Sequence, residues 1–541
     1  MTVILVQPIA GQKAGTSGLR RKTRDWMAPH FLENYVQSTI NAIGGAKDKR
    51  FIIGGDGRFY NAEAIQVILR MLAANGASGV IVGRNGLLST PAASHLIRLH
   101  KTDGGFILSA SHNPGGIDAD FGLKFNMSNG GPATEIVSNE IYAQTTALSE
   151  YQTVKTHDID LSNIGHTEVA GMTVQVVDPV SDYSDLMQTL FDFKVIRGLF
   201  RSGFRMRFDA MHAVTGPYAT MILQNLLGAP SGTVQNSIPL MDFGQGHPDP
   251  NPICAHELMS LMMGPEAPDF GAASDGDGDR NMIVGRGAYV TPSDSLAILA
   301  AHAHLAPAYA GGLAGIARSM PTSAAVDRVA AVKGIPIFVT PTGWKFFGNL
   351  LDAGKVALCG EESAGTGSDH VREKDGLWAV LMWLNILAET KLSVAELMTQ
   401  HWTTYGRNYY SRHDFKDIPI DVANALMDDL RSTLPTLTGQ SFGGLVVGNA
   451  DEFSYDDPVD SSKSVGQGLC ISFEGGARVV FRLSGTGTQG ATLRMYLETL
   501  ETNLNLLHND PQKALADVIK AAYEITELPH RLGRHIPDVI T

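Results

Sequence analysis

Apolar and polar positions alternate in blocks along this chain. From residue 50 a short apolar run, RFIIGGDGR, ends in Gly-Asp-Gly, and NAEAIQVILRMLAANG follows with helical periodicity up to Gly76. GVIVG is again a strand, PAASHLIRLHK a helix and GGFILSA a strand. Strand, turn and helix repeated in this way predict α/β layers on a mostly parallel sheet, because parallel strands need helical crossovers. The same grammar recurs in FRMRFDAMHAVTGPYATMILQNLL (204–227) and LAGIARSMPTSAAVDRVAAVKG (313–334), so three related α/β domains in tandem are expected. After about residue 404 the texture changes. GLCISFEGGARVVFRLSGTGTQGATLRMYLETL reads as hairpin strands at Gly turns, with an amphipathic helix following near 512–527. That is an α+β domain. The expected division is 1–183, 184–290, 291–403 and 404–541.

Composition narrows the partners. The 541 residues are 44% hydrophobic and 18% charged, and the 58 glycines cluster in short loops that suit backbone-lined ligand sites. Net charge is −13 with no basic face in sight, which argues against nucleic acid but leaves room for an anionic substrate held by local Arg and Lys. Cys254, Cys359 and Cys470 are odd in number and widely spaced, so no disulfide framework is expected and a reducing, cytoplasmic setting is. MTVILVQPIAG lacks a basic region and reads as a strand rather than a signal peptide. LWAVLMWLNILA (377–388) is too short to span a bilayer and reads as a buried helix, so no membrane partner is expected.

Several loops carry chemistry. SDGDGDRNMIV sets Asp275, Asp277 and Asp279 at alternate positions, which in extended backbone share one face. Three close carboxylates repel unless a cation neutralises them, and a hard divalent ion prefers oxygen ligands. An EF-hand fails, since Arg280 stands where Gly is needed and Arg286 where Glu is needed; zinc would want Cys or His nearby. Three protein oxygens with open octahedral positions suit Mg²⁺ sharing a phosphate. RLSGTGTQGATLR offers Ser484, Gly485, Thr486, Gly487 and Thr488 as an anion nest, with Arg494 for a bidentate charge. Its match to G-x-G-x-x-G is weak, because ATLRMYL continues as a strand and 51 residues cannot complete a dinucleotide fold. GQKAGTSGLRRKT (11–23) and GEESAGTGSDHVREKDG (360–376) are further Gly/Ser loops. Any one could be an ordinary turn; together with the aspartates they ask for a phosphorylated polyol, a metal and a serine.

ILSASHNPGG (107–116) supplies the serine. No G-x-S-x-G surrounds Ser111, and adjacent extended side chains point apart, so a Ser111–His112 couple is expected to be geometrically poor. A serine that carries a phosphoryl group beside the aspartates fits better, with Gly115 and Gly116 letting a substrate oxygen approach.

SASHNPGG…DFGLKFN, DGDGDRNMI, VTPTGWKFFGNL, CGEESAGTGSDHVREKDGLWAVL and RLSGTGTQGATLR, in that order, resemble the phosphoglucomutases of the α-D-phosphohexomutase superfamily. The similarity runs from GQKAGTSGLR to beyond Arg494. It implies four domains around a central cleft, three of them α/β and the fourth a smaller phosphate-binding α+β domain. It further implies exchange between glucose 1-phosphate and glucose 6-phosphate through a phosphoserine and glucose 1,6-bisphosphate. By the resemblance, Ser111 is the phosphoserine and completes the Mg²⁺ shell of Asp275, Asp277 and Asp279, while Arg280 assists near the phosphoryl group. Glu361 and Ser363 would grip sugar hydroxyls, with Thr342 and Gly343 in a neighbouring loop; Ser484, Thr486, Thr488 and Arg494 would bind the non-reacting phosphate. Arg20, Lys124 and Lys374 fall near the reacting oxygen, and Lys124, Lys374 or His112 could take the proton, a lysine being apt if cationic neighbours depress it. Two positions depart from the eukaryotic-type pattern, Ala364 for Phe and Ser109 for Thr. Rival readings are a mutase for mannose or glucosamine phosphates and a non-catalytic scaffold that keeps the fold.

Overall fold

A computed structural model describes residues 1–484 and 490–541. The chain divides into two compact units, one of Met1–Ser295, Leu299–Ile316 and Gly343–Ala395, the other of Leu296–Ile298, Ala317–Thr342 and Glu396–Thr541. The third expected α/β block is therefore shared between them.

In the first unit, the strand Arg50–Gly55 is buried at every residue after the first. It lies between Gly104–Leu108 and Gly79–Leu87, parallel to both, and Met172–Val177 extends the parallel set. Three further strands, Leu19–Lys22, Asp120–Met127 and Gly165–Val169, close the seven-stranded sheet antiparallel. The expected mostly parallel sheet is thus parallel only at its centre: a short hairpin adds Gly165–Val169 at one edge, and Leu19–Lys22, distant in sequence, adds to Asp120–Met127 at the other. Helix Asn61–Ala74 buries Ile65, Ile68, Leu69 and Leu72 on one face, as its period demands. Helix Thr90–His100 starts where the Ser89 side chain accepts from the Ala92 amide, with Pro91 in the first turn, and stops at Lys101 in the left-handed region. Phe51, Phe106 and Phe125 meet edge to face within the core. Chain leaving the carboxyl end of Gly104–Leu108 enters the Ser111 loop, the end of a parallel sheet where ligands bind.

A second sheet orders Val234–Gln235, Met206–Asp209 and Phe270–Ser274 in parallel, then Asn281–Gly285 and Ala288–Val290 antiparallel. Ser274 pairs with Asn281, so residues 275–280 form a hairpin loop. Leu358–Gly360 and Thr366–Ser368 make a second hairpin, with residues 361–365 at its tip. Helix Gly376–Thr390 follows, capped by Asp375, and buries residues from Gly376 to Ala388 without interruption, as its apolar sequence requires.

The second unit holds a seven-stranded antiparallel sheet in the order Ser441–Phe442, Leu445–Glu452, Leu469–Phe473, Arg478–Ser484, Ala491–Glu501, Arg407–Ile418, Val539–Ile540. Helix Ile420–Leu437 contributes Leu426, Leu430 and Leu434 to its core, and helix Ala516–Thr526 contributes Val518 and Ala521. The helix expected near 512–527 is two pieces, Pro511–Ala514 and Ala516–Thr526. Among the described residues no single helix is long and apolar enough to cross a membrane, and Cys254, Cys359 and Cys470 are free thiols.

A candidate active site at Ser111 and three aspartates

Ser111 sits in the left-handed region at φ 53°. A non-glycine residue holds that conformation only when its surroundings over-determine it. Here the Ser111 amide donates to Ser109 Oγ at 2.7 Å and its carbonyl accepts from Arg58 Nη2 at 2.8 Å. Asp56 ties the two holders together, accepting from Ser109 Oγ at 2.6 Å and from Arg58 Nε at 2.9 Å. Burial pushes Asp56 up, and the Arg58 guanidinium works against that push. Gly276 is required by approach: a Cβ there would stand 2.4 Å from the Ser111 carbonyl oxygen. The result is that Ser111 Oγ donates to Asp275 Oδ2 at 2.9 Å.

The positive φ also overturns the expectation that Ser111 and His112 point apart. His112 Nδ1 lies 3.4 Å from Ser111 Oγ, because the rule of alternating sides holds for extended backbone and this residue is not extended. Burial pushes the His112 imidazole well below its usual range, with Arg280, Arg20 and Lys374 adding to it.

The aspartates converge by a turn rather than by strand alternation, with Gly278 at φ 82°. Asp275 Oδ1 accepts from the amides of Asp279 at 2.9 Å and Arg280 at 3.0 Å, so the loop is wound round its first carboxylate. Asp277 Oδ2 accepts from Thr90 Oγ1 at 2.6 Å and Lys124 Nζ at 2.9 Å. Among the described residues, Asp277 Oδ1 and Asp279 Oδ1 are buried and have no hydrogen-bond partner. One oxygen from each aspartate lies within 4.8 Å of the others, all three residues being buried. Burial and the two neighbouring carboxylates push Asp275 well up; burial would raise Asp277 too, but Lys124 and Thr90 bring it below the ordinary carboxylate range. Two orphaned oxygens among hard donors are what a small divalent cation satisfies, so the residues fit one.

Cations surround this cluster. Lys374 Nζ is 3.3 Å from Asp279 Oδ2, and Arg280 Nη1 is 3.8 Å from Asp249. Arg20 is half-buried, and desolvation together with Arg280 lowers its guanidinium. The expected depression of a lysine by its cationic neighbours does not occur at Lys124. Burial would lower it, but Asp277 and Glu373 hold it above its ordinary value and so in the charged form. Glu361 accepts from the Gly343 amide at 3.0 Å, and Ser363 is half-buried at the hairpin tip. Thr342 belongs to the second unit, where Ser484 ends a strand and pairs in register with Thr492. Arg494 Nε lies 3.9 Å from Asp414 in that unit. Gly485, Thr486, Gly487 and Thr488 lie outside the described residues. The first unit thus gathers Ser111, His112, Arg20, Lys124, Arg280, Lys374, Glu361 and the three aspartates.

Sequence reasoning missed Asp56, Arg58, Thr90 and Asp249. GGDGR was legible only as the end of a strand, although a charged pair placed at the carboxyl end of a buried parallel strand is itself a site signal.

A strained serine on one α/β sheet facing a carboxylate hairpin on the next defines a phosphoryl-transfer protein of several α/β layers. Family models agree: phosphoglucomutase/phosphomannomutase α/β/α domain I matches residues 11–152, domain II 181–287 and domain III 292–405, and the phosphoglucomutase-1 C-terminal domain matches 407–538. The chain belongs to the phosphoglucomutase/phosphomannomutase family, with three α/β/α domains and a C-terminal domain. Its similarity within the family is to phosphoglucomutases. The phosphoglucomutase of Rhizobium radiobacter is 56% identical over 99% of both chains, and the cytoplasmic phosphoglucomutase of Pisum sativum is 48% identical over 99% of both. The crystal structure of parafusin, a Paramecium phosphoglucomutase in an open form, superposes with a TM-score of 0.93 at 48% identity, covering 100% of this chain and 99% of that one. Relatives named for the chloroplast also match, so family membership does not fix the compartment.

Proposed function

We propose that this chain interconverts glucose 1-phosphate and glucose 6-phosphate, with Ser111 as the residue that carries the phosphoryl group. The observation that carries the reading is the Ser111 hydroxyl 2.9 Å from Asp275, beside two buried carboxylate oxygens that no group among the described residues satisfies. In the forward direction the P–Oγ bond of phospho-Ser111 breaks as a bond forms from phosphorus to the sugar 6-hydroxyl oxygen. The hydroxyl proton passes to a nearby base, and glucose 1,6-bisphosphate results. After the sugar turns end over end, a bond forms from Ser111 Oγ to the phosphorus of the 1-phosphate as the P–O1 bond breaks, the base returns its proton to O1, and glucose 6-phosphate leaves with the phosphoserine restored.

Mg²⁺, held by Asp275, Asp277 and Asp279 with an oxygen from Ser111, would neutralise charge on the transferring group. Arg280, Arg20 and Lys374 add fixed positive charge that costs no reorganisation during reaction, and the Asp56–Arg58 clamp holds Oγ in line. Lys124, held charged, serves better as an electrostatic stabiliser than as a base, whereas His112, which burial and the neighbouring cations keep neutral, has an unprotonated ring nitrogen to offer, though as a weak base. Glu361 and Ser363 would take the sugar hydroxyls beside Thr342 and Gly343, and Ser484, Gly485, Thr486, Gly487, Thr488 and Arg494 the non-reacting phosphate. The four-domain division at 183, 290 and 403 and a cytoplasmic setting go with this reading.

Intact-mass measurement of the purified chain with and without glucose 1,6-bisphosphate, alongside a coupled mutase assay, tests it. One phosphate on wild type, none on Ser111→Ala, and activity on glucose 1-phosphate exceeding that on mannose or glucosamine 1-phosphate are expected. A phosphate that persists in Ser111→Ala would overturn it.

A further inference from the structure

The loop that brings Lys374 to the aspartates is anchored by a buried network the reaction does not touch. His370 uses both ring nitrogens: Nδ1 is 2.7 Å from Ser368 Oγ and Nε2 is 3.0 Å from Asp375 Oδ2. Trp378 Nε1 donates to Tyr309 OH at 2.9 Å, and that hydroxyl is 2.5 Å from Ser368 Oγ. One direction of hydrogens satisfies the whole chain: Trp378 to Tyr309, Tyr309 to Ser368, Ser368 to Nδ1, leaving the Nε2 proton for Asp375. Asp375 Oδ1 accepts from Tyr183 OH at 2.7 Å and from the Trp378 amide at 3.0 Å. The His370 ring also stacks on Trp378 at 5.4 Å, and the His370 and Asp375 side chains are 1% and 0% exposed. A serine, histidine and aspartate sealed in this way cannot meet a substrate, so the trio is no second active site.

What it does hold is Asp375, the residue next to Lys374. On its other side the same segment presses on the aspartate hairpin. The Gly376 amide donates to the Gly278 carbonyl at 3.1 Å, and a Cβ on Gly376 would stand 2.1 Å from the Arg280 carbonyl oxygen. The Lys374 stem crosses Gly365 so closely that a Cβ there would lie 2.2 Å from its Cδ, and Nζ ends 3.3 Å from Asp279. With no slack on the hairpin side, the lysine's position is set by how firmly Asp375 is held from behind.

We propose that His370, acting through Asp375, is a positioning residue that fixes where Lys374 stands over the phosphoryl-transfer site; this rests on the reading of Ser111 and the aspartates given above. The two nitrogens make it testable, because a Gln amide reaches where Nε2 does and an Asn amide where Nδ1 does. His370→Asn is expected to lower kcat for glucose 1-phosphate by about tenfold or more with KM within about twofold, a displacement cost rather than a binding cost. His370→Gln, which keeps the Asp375 contact, is expected to recover most of that loss, although both variants melt at similar temperatures. Equal kcat in the two variants, or wild-type kcat in His370→Asn, would overturn the proposal. Should neither fold, Tyr183→Phe removes one donor to Asp375 and keeps the ring; a several-fold fall in kcat at unchanged KM supports the proposal, and unchanged kcat sinks it. Absence of mutase activity in the wild type would bring down the function reading first, so the two failures are distinct.

Discussion

Two buried carboxylate systems in this chain make opposite use of the same chemistry. Glu498, in the second unit, accepts from Ser323 Oγ at 2.9 Å, the Ala324 amide at 2.8 Å, Asn408 Nδ2 at 2.6 Å and Arg478 Nη2 at 2.7 Å. Burial would push the Glu498 carboxyl's pKa up, yet Arg478 and Arg318 outweigh burial and leave it below its usual value. Nothing on that carboxylate is left over. In the first unit Asp277 and Asp279 each keep an oxygen without a partner among the described residues, and Asp275 is pushed up by burial and by its own neighbours. A saturated buried charge can be carried by the fold without further partners; an unsaturated cluster is costly unless an ion or substrate completes it. Saturation therefore separates scaffold from site here better than burial does.

The largest expected effect falls on the serine that faces the unsaturated cluster. Ser111→Ala should lower turnover by about three orders of magnitude or more in a coupled assay, because the phosphoryl carrier is gone. The Asp56–Arg58–Ser109 frame stays, so the stability cost should be limited to that of the lost donor to Asp275 Oδ2, about 1–3 kcal/mol. A large stability loss would mean that the hydroxyl is part of the scaffold and would blur the contrast.

Asp277→Asn comes next. It removes one of the three charges, so the Mg²⁺ concentration for half-maximal activity should rise about tenfold or more. Mg²⁺ should also raise the melting temperature of wild type more than that of the variant, since only ligand bound to the folded state stabilises it. An unchanged Mg²⁺ titration would remove Asp277 from the ligand set.

Glu498→Gln tests the saturated system. Breaking a buried pair from one side leaves Arg478 uncompensated and should cost about 3–5 kcal/mol in urea unfolding. Turnover per folded molecule should be unaltered, and a fall in kcat at full occupancy of the fold would place Glu498 with the site instead.

The contrast shows what the amino-acid pattern can and cannot carry. Periodicity over 61–74 and 90–100 and apolar runs at 50–55 and 104–108 settle the α/β layers, since burial of one face dictates both. Asp275, Asp277 and Asp279 were legible because three like charges in five residues demand a cation whatever the backbone does. The backbone itself was not: the trio lies on a hairpin turn, and Ser111 has a left-handed φ that brings His112 alongside it. Asp56, Arg58 and Thr90 reach the site only through long-range packing, with Thr90 187 residues from the carboxylate it meets. Nor does periodicity reveal that residues 317–342 cluster with the C-terminal region.

Glu373 lies between the two cases and gives the smallest effect, one read through pH. Its Oε1 accepts from Asn126 Nδ2 at 2.9 Å, and burial pushes the carboxyl up to about 7, with Lys124 only partly opposing. An unfolded Glu titrates near 4.5. Between those values the folded chain keeps a proton that the unfolded chain has lost, so stability falls as pH rises through that window and levels off above it. The full fall attributable to this one group is about 3 kcal/mol. Glu373→Gln is neutral at every pH and retains an oxygen for Asn126, so its unfolding free energy, measured in urea and chelator from pH 4 to 8, should lack that decline. Wild type should be the relatively more stable of the two at pH 4 and lose ground steadily to pH 7. Parallel curves would show that Glu373 is ionised in the folded chain, and that Lys124 saturates it as Arg478 saturates Glu498.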